Sequence, residues 1–437
     1  MPAGPSLYSP DTRSARLPSC GEYRVRVLSI VGTRPEAIKM APVIKEIERR
    51  TGLQSIVLTT GQHREMLDQV LEVFSIAVDS SLDIMTPGQT LNQVFSRVMT
   101  GVDSFLADNP VDLVLVHGDT TTAAAAALAA FHRGVPIGHV EAGLRTGDLA
   151  HPFPEEMNRC VVDVVAELLF APTASSARNL EATAIKSQQI HVTGNTVIDA
   201  LLSVSARIDA DAALRTRLDR NIPTLPPQSR LVLVTGHRRE SFGKGVENLC
   251  DALADIASLP DVDVVYPEHL NPNVKGPVNA RLGGHPNIHL IPPQDYLTFV
   301  HLMKRASLII TDSGGIQEEA PSLGVPVLVT RTVTERPEAL SSGRVQLVGP
   351  DRAAIFRGAT HWLERSNGKL DRTNPYGDGR ASIRIADAIL EHRQRKLAAA
   401  EHQERPAQRI AASVPHLVES AARAAASVSG AVAADSP

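Results

Sequence analysis

Three groups of residues in this 437-residue chain combine types and spacings that could do chemistry: Ser313-Gly314-Gly315, Arg34 with Lys39, and the carboxylates Asp119, Glu141 and Glu155. The glycine pair follows the apolar run Leu308-Ile309-Ile310, read as a buried strand, and precedes a helix expected from Ile316 onward. A helix that starts after a glycine turn presents free backbone N–H groups and the positive end of its dipole, which suits a diphosphate. The glycines let the backbone approach an anion where a Cβ would intervene. Further along, Glu318 or Glu319 can accept hydrogen bonds from both hydroxyls of a ribose, and adjacent helical residues point about 100° apart, so only one of the two does so. An ordinary strand–turn–helix is the plainer reading, because a lone glycine pair is a weak signal.

Arg34 and Lys39 sit where the strand Val25 to Val31 runs into a helix reaching Arg49. Thr33 and Glu36 have capping-box spacing, and Pro35 is tolerated in the first turn. Two cations beside a positive dipole end are unfavourable unless an anion joins them, so an anion site is expected there against the alternative of solvated charge. Asp119 follows the apolar strand Val111 to Val116, and Glu141 follows Pro136 to Val140. Ligands of open α/β sheets bind outside the carboxyl ends of the strands, which is where both acids fall. His117 reads as a structural histidine. Glu155 follows the proline-stiffened His151-Pro152-Phe153-Pro154. It is either a third carboxylate at the same edge or simply a favourable first-turn acid, and spacing leaves both open.

Strands and helices alternate through two successive cycles, the second beginning near Ile190, which argues for two parallel, doubly wound sheets. The α/β chain is therefore expected to form two Rossmann-like lobes facing a cleft, a common place for ligands. The expected boundaries are a disordered Pro-, Ser- and Arg-rich extension over 1–23, an N-terminal lobe over 24–195 completed by a helix at 382–396, a C-terminal lobe over 196–381, and an Ala-rich tail over 397–437. Hydrophobic content of 43%, charged content of 21% and a net charge of -4 are ordinary for a globular chain and point to neither nucleic acid nor an anionic membrane. The three cysteines, Cys20, Cys160 and Cys250, are too scattered for a disulfide framework or a metal site and fit a reducing cytoplasm. No run approaches the ~20 apolar residues of a membrane span.

The phrases GTRPEAIKMAP, GQHREMLDQV, VHGDTTT, GHVEAGLRTGD, PEEMNR, TGNTVIDAL, VTGHRRESFG, HLNPNV, TDSGGIQEEAPSLG, TERPE and NPYGDG occur in this order. Together they resemble the non-hydrolysing bacterial UDP-N-acetylglucosamine 2-epimerases over roughly Val25 to Leu390. The resemblance implies a glycosyltransferase-B-like fold, a last helix crossing back onto the N-terminal lobe, a homodimer, and interconversion of UDP-N-acetylglucosamine and UDP-N-acetylmannosamine without nicotinamide or metal. It assigns Asp119, Glu141 and Glu155 as acid/base carboxylates and His237 as partner of the leaving phosphate. Arg34 and Lys39 would hold the diphosphate, as would Ser313, Gly314 and Gly315. Gln294 and Phe299 would contact the uracil, Glu319 the ribose, and Arg336 the sugar or the catalytic loop.

In parts of that family a second UDP-N-acetylglucosamine acts as an activator, and the matching positions are Gln62, Glu65, Arg238 and His269. Glu268 places a negative charge beside His269 where an apolar residue is expected, which departs from the pattern. A glycosyltransferase, a hydrolysing epimerase and a silent nucleotide-sugar sensor compete on the same fold, since fold alone does not specify function. Three cleft carboxylates and the unbroken GHVEAGLRTGD phrase favour the epimerase.

Overall fold

The computed structural model describes residues 24–399 apart from 62–63, 87, 184, 186–188, 237–242, 269–270 and 366–371. The expected extension over 1–23 and most of the expected tail lie outside the described residues. Among the described residues, thirteen strands form two sheets. The first contains β1 (Val25–Val31), β2 (Leu53–Thr59), β3 (Ser80–Ser81), β4 (Leu113–His117), β5 (Ile137–Val140), β6 (Leu168–Ala171) and β7 (Ile190–Val192). The second contains β8 (Arg230–Thr235), β9 (Val262–Pro267), β10 (Ile288–Ile291), β11 (Ala306–Thr311), β12 (Val327–Val329) and β13 (Val345–Leu347).

Every pairing is parallel, in the orders β3-β2-β1-β4-β5-β6-β7 and β10-β9-β8-β11-β12-β13. A parallel sheet is covered by helices on both faces, so its strands are apolar in continuous runs. In β8, Leu231 and Leu233 join one core cluster while Val232 and Val234 join another, the period-two division of a strand between two buried faces. In the first sheet, the helix Thr121–His132 packs through Ala123 to Ala127, all buried, and such small side chains let its backbone approach the strands closely.

The order reverses between β1 and β4 in one sheet and between β8 and β11 in the other. Crevices for ligands open at such points, outside the carboxyl ends of the strands. The helix Arg34–Arg49 follows β1 and starts with the expected capping box: Thr33 accepts from Glu36 N, and Glu36 Oε2 accepts from Thr33 N at 2.6 Å. Glu36, only 2% exposed, also takes the Thr120 hydroxyl on Oε1 at 2.5 Å, tying this helix start to the residue after Asp119. After β11 the helix begins at Gly314, two residues earlier than expected, and its six residues pass into a 3-10 turn over Ala320–Leu323. A final helix spans 381–399, and its first turn is anchored by Asp199, which accepts from the backbone N–H groups of Ala381 at 3.1 Å and Ser382 at 2.8 Å.

Candidate functional site

A cavity of about 520 Å³ opens between the two reversal points. One wall comes from the start of the first helix and carries Arg34, Pro35, Ile38 and Lys39. The other comes from the second sheet and carries Thr235, Gly236, Gln294, Phe299, Ser313, Gly315 and Glu319 among others. Of the residues singled out by sequence, Arg34, Lys39, Gln294, Phe299, Ser313, Gly315 and Glu319 therefore share one cavity. Gly314 is buried at the first position of its helix, just behind. Ser313 makes no side-chain cap, which leaves the first N–H groups of that helix open on the cavity side. Two cations on one wall and a helix N-terminus on the other are electrostatically complementary to an anion.

Behind Lys39 lies a polar chain. Lys39 Nζ stands 2.5 Å from Glu141 Oε2. The Asn195 amide donates both to Glu141 Oε2 at 3.0 Å and to Glu318 Oε2 at 3.2 Å. The other Glu318 oxygen takes the Arg336 guanidinium. Burial works against charge on Glu141, but Lys39 and His117 outweigh it and hold the carboxyl well below its usual range. Burial likewise opposes charge on Lys39, and Glu141 and Glu318 more than restore it, so its pKa is raised. Glu141 also adopts a left-handed backbone, φ 69°, a conformation that a side-chain-bearing residue keeps only when its surroundings demand it. His117 comes within 3.7 Å of Glu141, and neither of its ring nitrogens has a hydrogen-bond partner among the described residues, so it is not the satisfied structural histidine expected.

Asp119 and Glu155 meet through one helix, Glu155–Val165. Glu155 occupies its first position, and Arg159, one turn on, donates to Asp119 Oδ2 at 2.6 Å while Asn158 donates to the Asp119 carbonyl at 2.9 Å. The neighbouring Glu156 is spent on structure, accepting from the N–H groups of Thr146 and Gly147. None of the three candidate acid/base carboxylates lines the 520 Å³ cavity itself; Glu141 reaches it only through Lys39.

The neighbours Glu318 and Glu319 diverge as helical geometry requires. Glu318 turns to Arg336 and Asn195, whereas Glu319 faces the cavity with Oε2 unpartnered. Burial, with Glu318 adding to it, pushes the Glu319 carboxyl up to about 8. His237, Arg238, His269 and Gln62 lie outside the described residues, as does the side chain of Glu65 in the helix Arg64–Val73. Glu268 is described and lines the cavity, with Lys275 4.0 Å from its carboxylate.

Sequence reasoning passed over Arg159 and Asn195. Arg159 carries a usable signal, a cation one helical turn after Glu155. Asn195 carries none beyond being a helix cap, because its partners stand 54 and 123 positions away.

The sequence profile of the family described as UDP-N-acetylglucosamine 2-epimerase matches residues 45–390. The chain is 56% identical over 368 residues to the probable UDP-N-acetylglucosamine 2-epimerase of Ralstonia nicotianae, covering 83% of this chain and 98% of that protein. It is 52% identical over 373 residues to the UDP-N-acetylglucosamine 2-epimerase of Escherichia coli strain K12, covering 84% and 99%. The structure is similar to the crystal structure of the Neisseria meningitidis enzyme bound to UDP-N-acetylglucosamine, with a TM-score of 0.78, 46% identity, and coverage of 84% of this chain and all of that one.

Proposed function

The chain belongs to the UDP-N-acetylglucosamine 2-epimerase family and inverts C2 of that nucleotide sugar; from that premise we propose that it works by releasing and recapturing UDP. The C2 proton lies beside no carbonyl, so its direct removal to a carbanion is too costly. Anti elimination avoids this. The C2–H electrons form the C1=C2 bond, the C1–O bond breaks, and UDP departs with that electron pair while a base takes the proton. The intermediate is 2-acetamidoglucal with UDP still held. A proton then returns to the opposite face of C2, the UDP oxygen rejoins C1, and UDP-N-acetylmannosamine results.

The supporting observation is the placement of cations and backbone N–H groups on opposite walls of one cavity, with Glu141 behind Lys39. Arg34, Lys39 and the Ser313–Gly315 turn stabilise the charge that grows on the departing diphosphate. Asp119, Glu141 and Glu155 serve as acid and base about C2. Lys39 holds Glu141 ionised, so this carboxylate is in the form that can accept a proton. Phe299 and Gln294 hold the uracil, Glu319 the ribose, and Arg336 the edge that Glu318 and Asn195 order. His237 meets the leaving phosphate.

Incubation of UDP-N-acetylglucosamine in deuterated water should give intact UDP-N-acetylmannosamine labelled at C2. Free N-acetylmannosamine would indicate that water traps the intermediate, sugar transfer to an acceptor would indicate a transferase, and binding without exchange would leave only a sensor. Asp119→Asn should abolish turnover while UDP still binds, read by coupled assay and calorimetry.

The assembly is inferred to be a homodimer. Met157 and Val164 lie two turns apart on one face of the Glu155–Val165 helix and are exposed, Val164 by 75%, beside Phe153 at 69%. Light scattering at twice the chain mass tests this. A second UDP-N-acetylglucosamine is proposed as activator at Gln62, Glu65, Arg238 and His269. A lag with UDP-N-acetylmannosamine alone, removed by traces of the other epimer, is the expected sign. Cys160 and Cys250 are free thiols, as a reducing cytoplasm keeps them, and a cytoplasmic setting is proposed on that ground.

A further inference from the structure

His139, on β5, and Asp163, on the Glu155–Val165 helix, are almost fully buried and face each other at 2.6 Å between Nδ1 and Oδ1. The other ring nitrogen, Nε2, stands 2.8 Å from the carbonyl oxygen of Gly118. A carbonyl only accepts, so Nε2 carries a proton. Nδ1 faces a carboxylate oxygen, so a second proton must lie between them. Ring and carboxyl therefore share that proton. Asp163 Oδ2 in turn accepts from the Gly143 N–H at 3.3 Å and stands 2.7 Å from Arg145 Nη1. Burial opposes charge on Asp163, but His139 and Arg145 overcome it and leave its carboxyl below the usual range.

Each partner of this pair belongs to a segment that carries one candidate acid/base group. Gly118 immediately precedes Asp119. Gly143 and Arg145 belong to the loop that starts at Glu141, where Glu141 and Gly143 both take positive φ, 69° and 84°. Asp163 shares its helix with Glu155 and with Arg159, which grips Asp119. We propose that His139 and Asp163 are positioning residues that lock the Asp119, Glu141 and Glu155 segments into one rigid edge, without touching the sugar themselves. This deepens the elimination–readdition reading and rests on it.

Misplacing an acid/base group by about 1 Å costs on the order of 100-fold in rate even when the change is remote from the chemistry. His139→Ala and Asp163→Ala should therefore each lower kcat by about 100-fold. KM and the Kd for UDP should stay within about threefold, since the diphosphate is held by other residues. Asp163→Asn separates geometry from charge. Its amide N–H can donate to a neutral His139 Nδ1 while its amide oxygen accepts from Gly143 and Arg145. It should recover kcat to within about tenfold of the parent chain.

The measurements are kcat, KM and UDP affinity on the full chain, with deuterium incorporation at C2 followed in parallel. Ala variants that keep kcat within threefold would overturn the proposal. So would a loss of kcat matched by an equal loss of UDP binding, or an Asn variant as impaired as the Ala variants. Should the Ala variants not fold, His139→Gln stands in for them. It can still donate to the Gly118 carbonyl but lacks the second N–H for Asp163, and it should lower kcat with KM unchanged; unaltered kcat would overturn the proposal equally. If the unaltered chain incorporates no deuterium, the elimination reading itself fails, which is a distinct result.

Discussion

Glu318 and Glu319 are adjacent in sequence, yet one is gripped by Arg336 and Asn195 while the other faces the cavity with a carboxyl pushed up to about 8. The folded chain thus keeps a proton on Glu319 that the unfolded chain, with an ordinary glutamate near 4.5, releases. Between about pH 4.5 and 8 the native state binds more protons than the unfolded state, so stability falls as pH rises through that window and levels off above it. Urea unfolding of the parent chain and Glu319→Gln should show this directly. The parent should lose stability relative to the variant as pH rises from 5 to 8, and a constant difference would contradict it. A second prediction concerns His117, whose field helps hold Glu141 ionised. His117→Ala should let the Glu141 pKa rise, and the acid limb of the kcat/KM profile should move to higher pH. The residue types of this site were readable in the chain because phosphate, ribose and proton transfer each demand particular groups at strand ends. Which of two adjacent glutamates faces the cavity was not legible from spacing, only from the family resemblance, since it depends on Arg336 arriving from a separate loop. The state of His117 was hidden likewise, because an unpaired ring nitrogen is a property of the surroundings and not of the residue.

At the scale of elements, strand β1 coincides with the apolar run Val25 to Val31 expected from the sequence, and the Thr33–Glu36 capping box forms as its spacing requires. Such features are local: a buried parallel strand needs only a short β-branched run, and a cap needs only its own first turn. The loop after β5 is different. Gly143 is required there because a Cβ would lie 2.3 Å from the Ser176 carbonyl oxygen and because its φ is 84°. Gly143→Ala should cost about 3 kcal/mol of stability, combining a left-handed backbone penalty with overpacking against backbone that cannot yield. Because the same loop bears Glu141, kcat should fall more than KM changes. Urea titration and steady-state kinetics of one preparation would check both. Nothing in the phrase GHVEAGLR reveals that Ser176 presses on this glycine, since the helix Ala174–Glu181 is brought there by the sheet order.

For the molecule as a whole, the two parallel sheets were legible from alternation alone, because right-handed β-α-β crossovers leave few other arrangements; where their strand orders reverse was not. The cavity is lined from both sheets. The Ralstonia nicotianae and Escherichia coli relatives match this chain over 368 and 373 residues, 98% and 99% of their own length. The chain cut to residues 24–399 should accordingly keep kcat within about twofold, since chain termini are the usual sites of tolerated truncation. A larger loss in the deuterium-exchange assay would assign the flanks a part in catalysis.

The Lys39–Glu141–Asn195–Glu318–Arg336 chain crosses from one sheet's helices to the other's, and Asn195 is its single shared link. Any motion that parts the two sheets pulls that amide off one carboxylate or the other, so the order of the Glu141 edge and the closeness of the sheets rise and fall together.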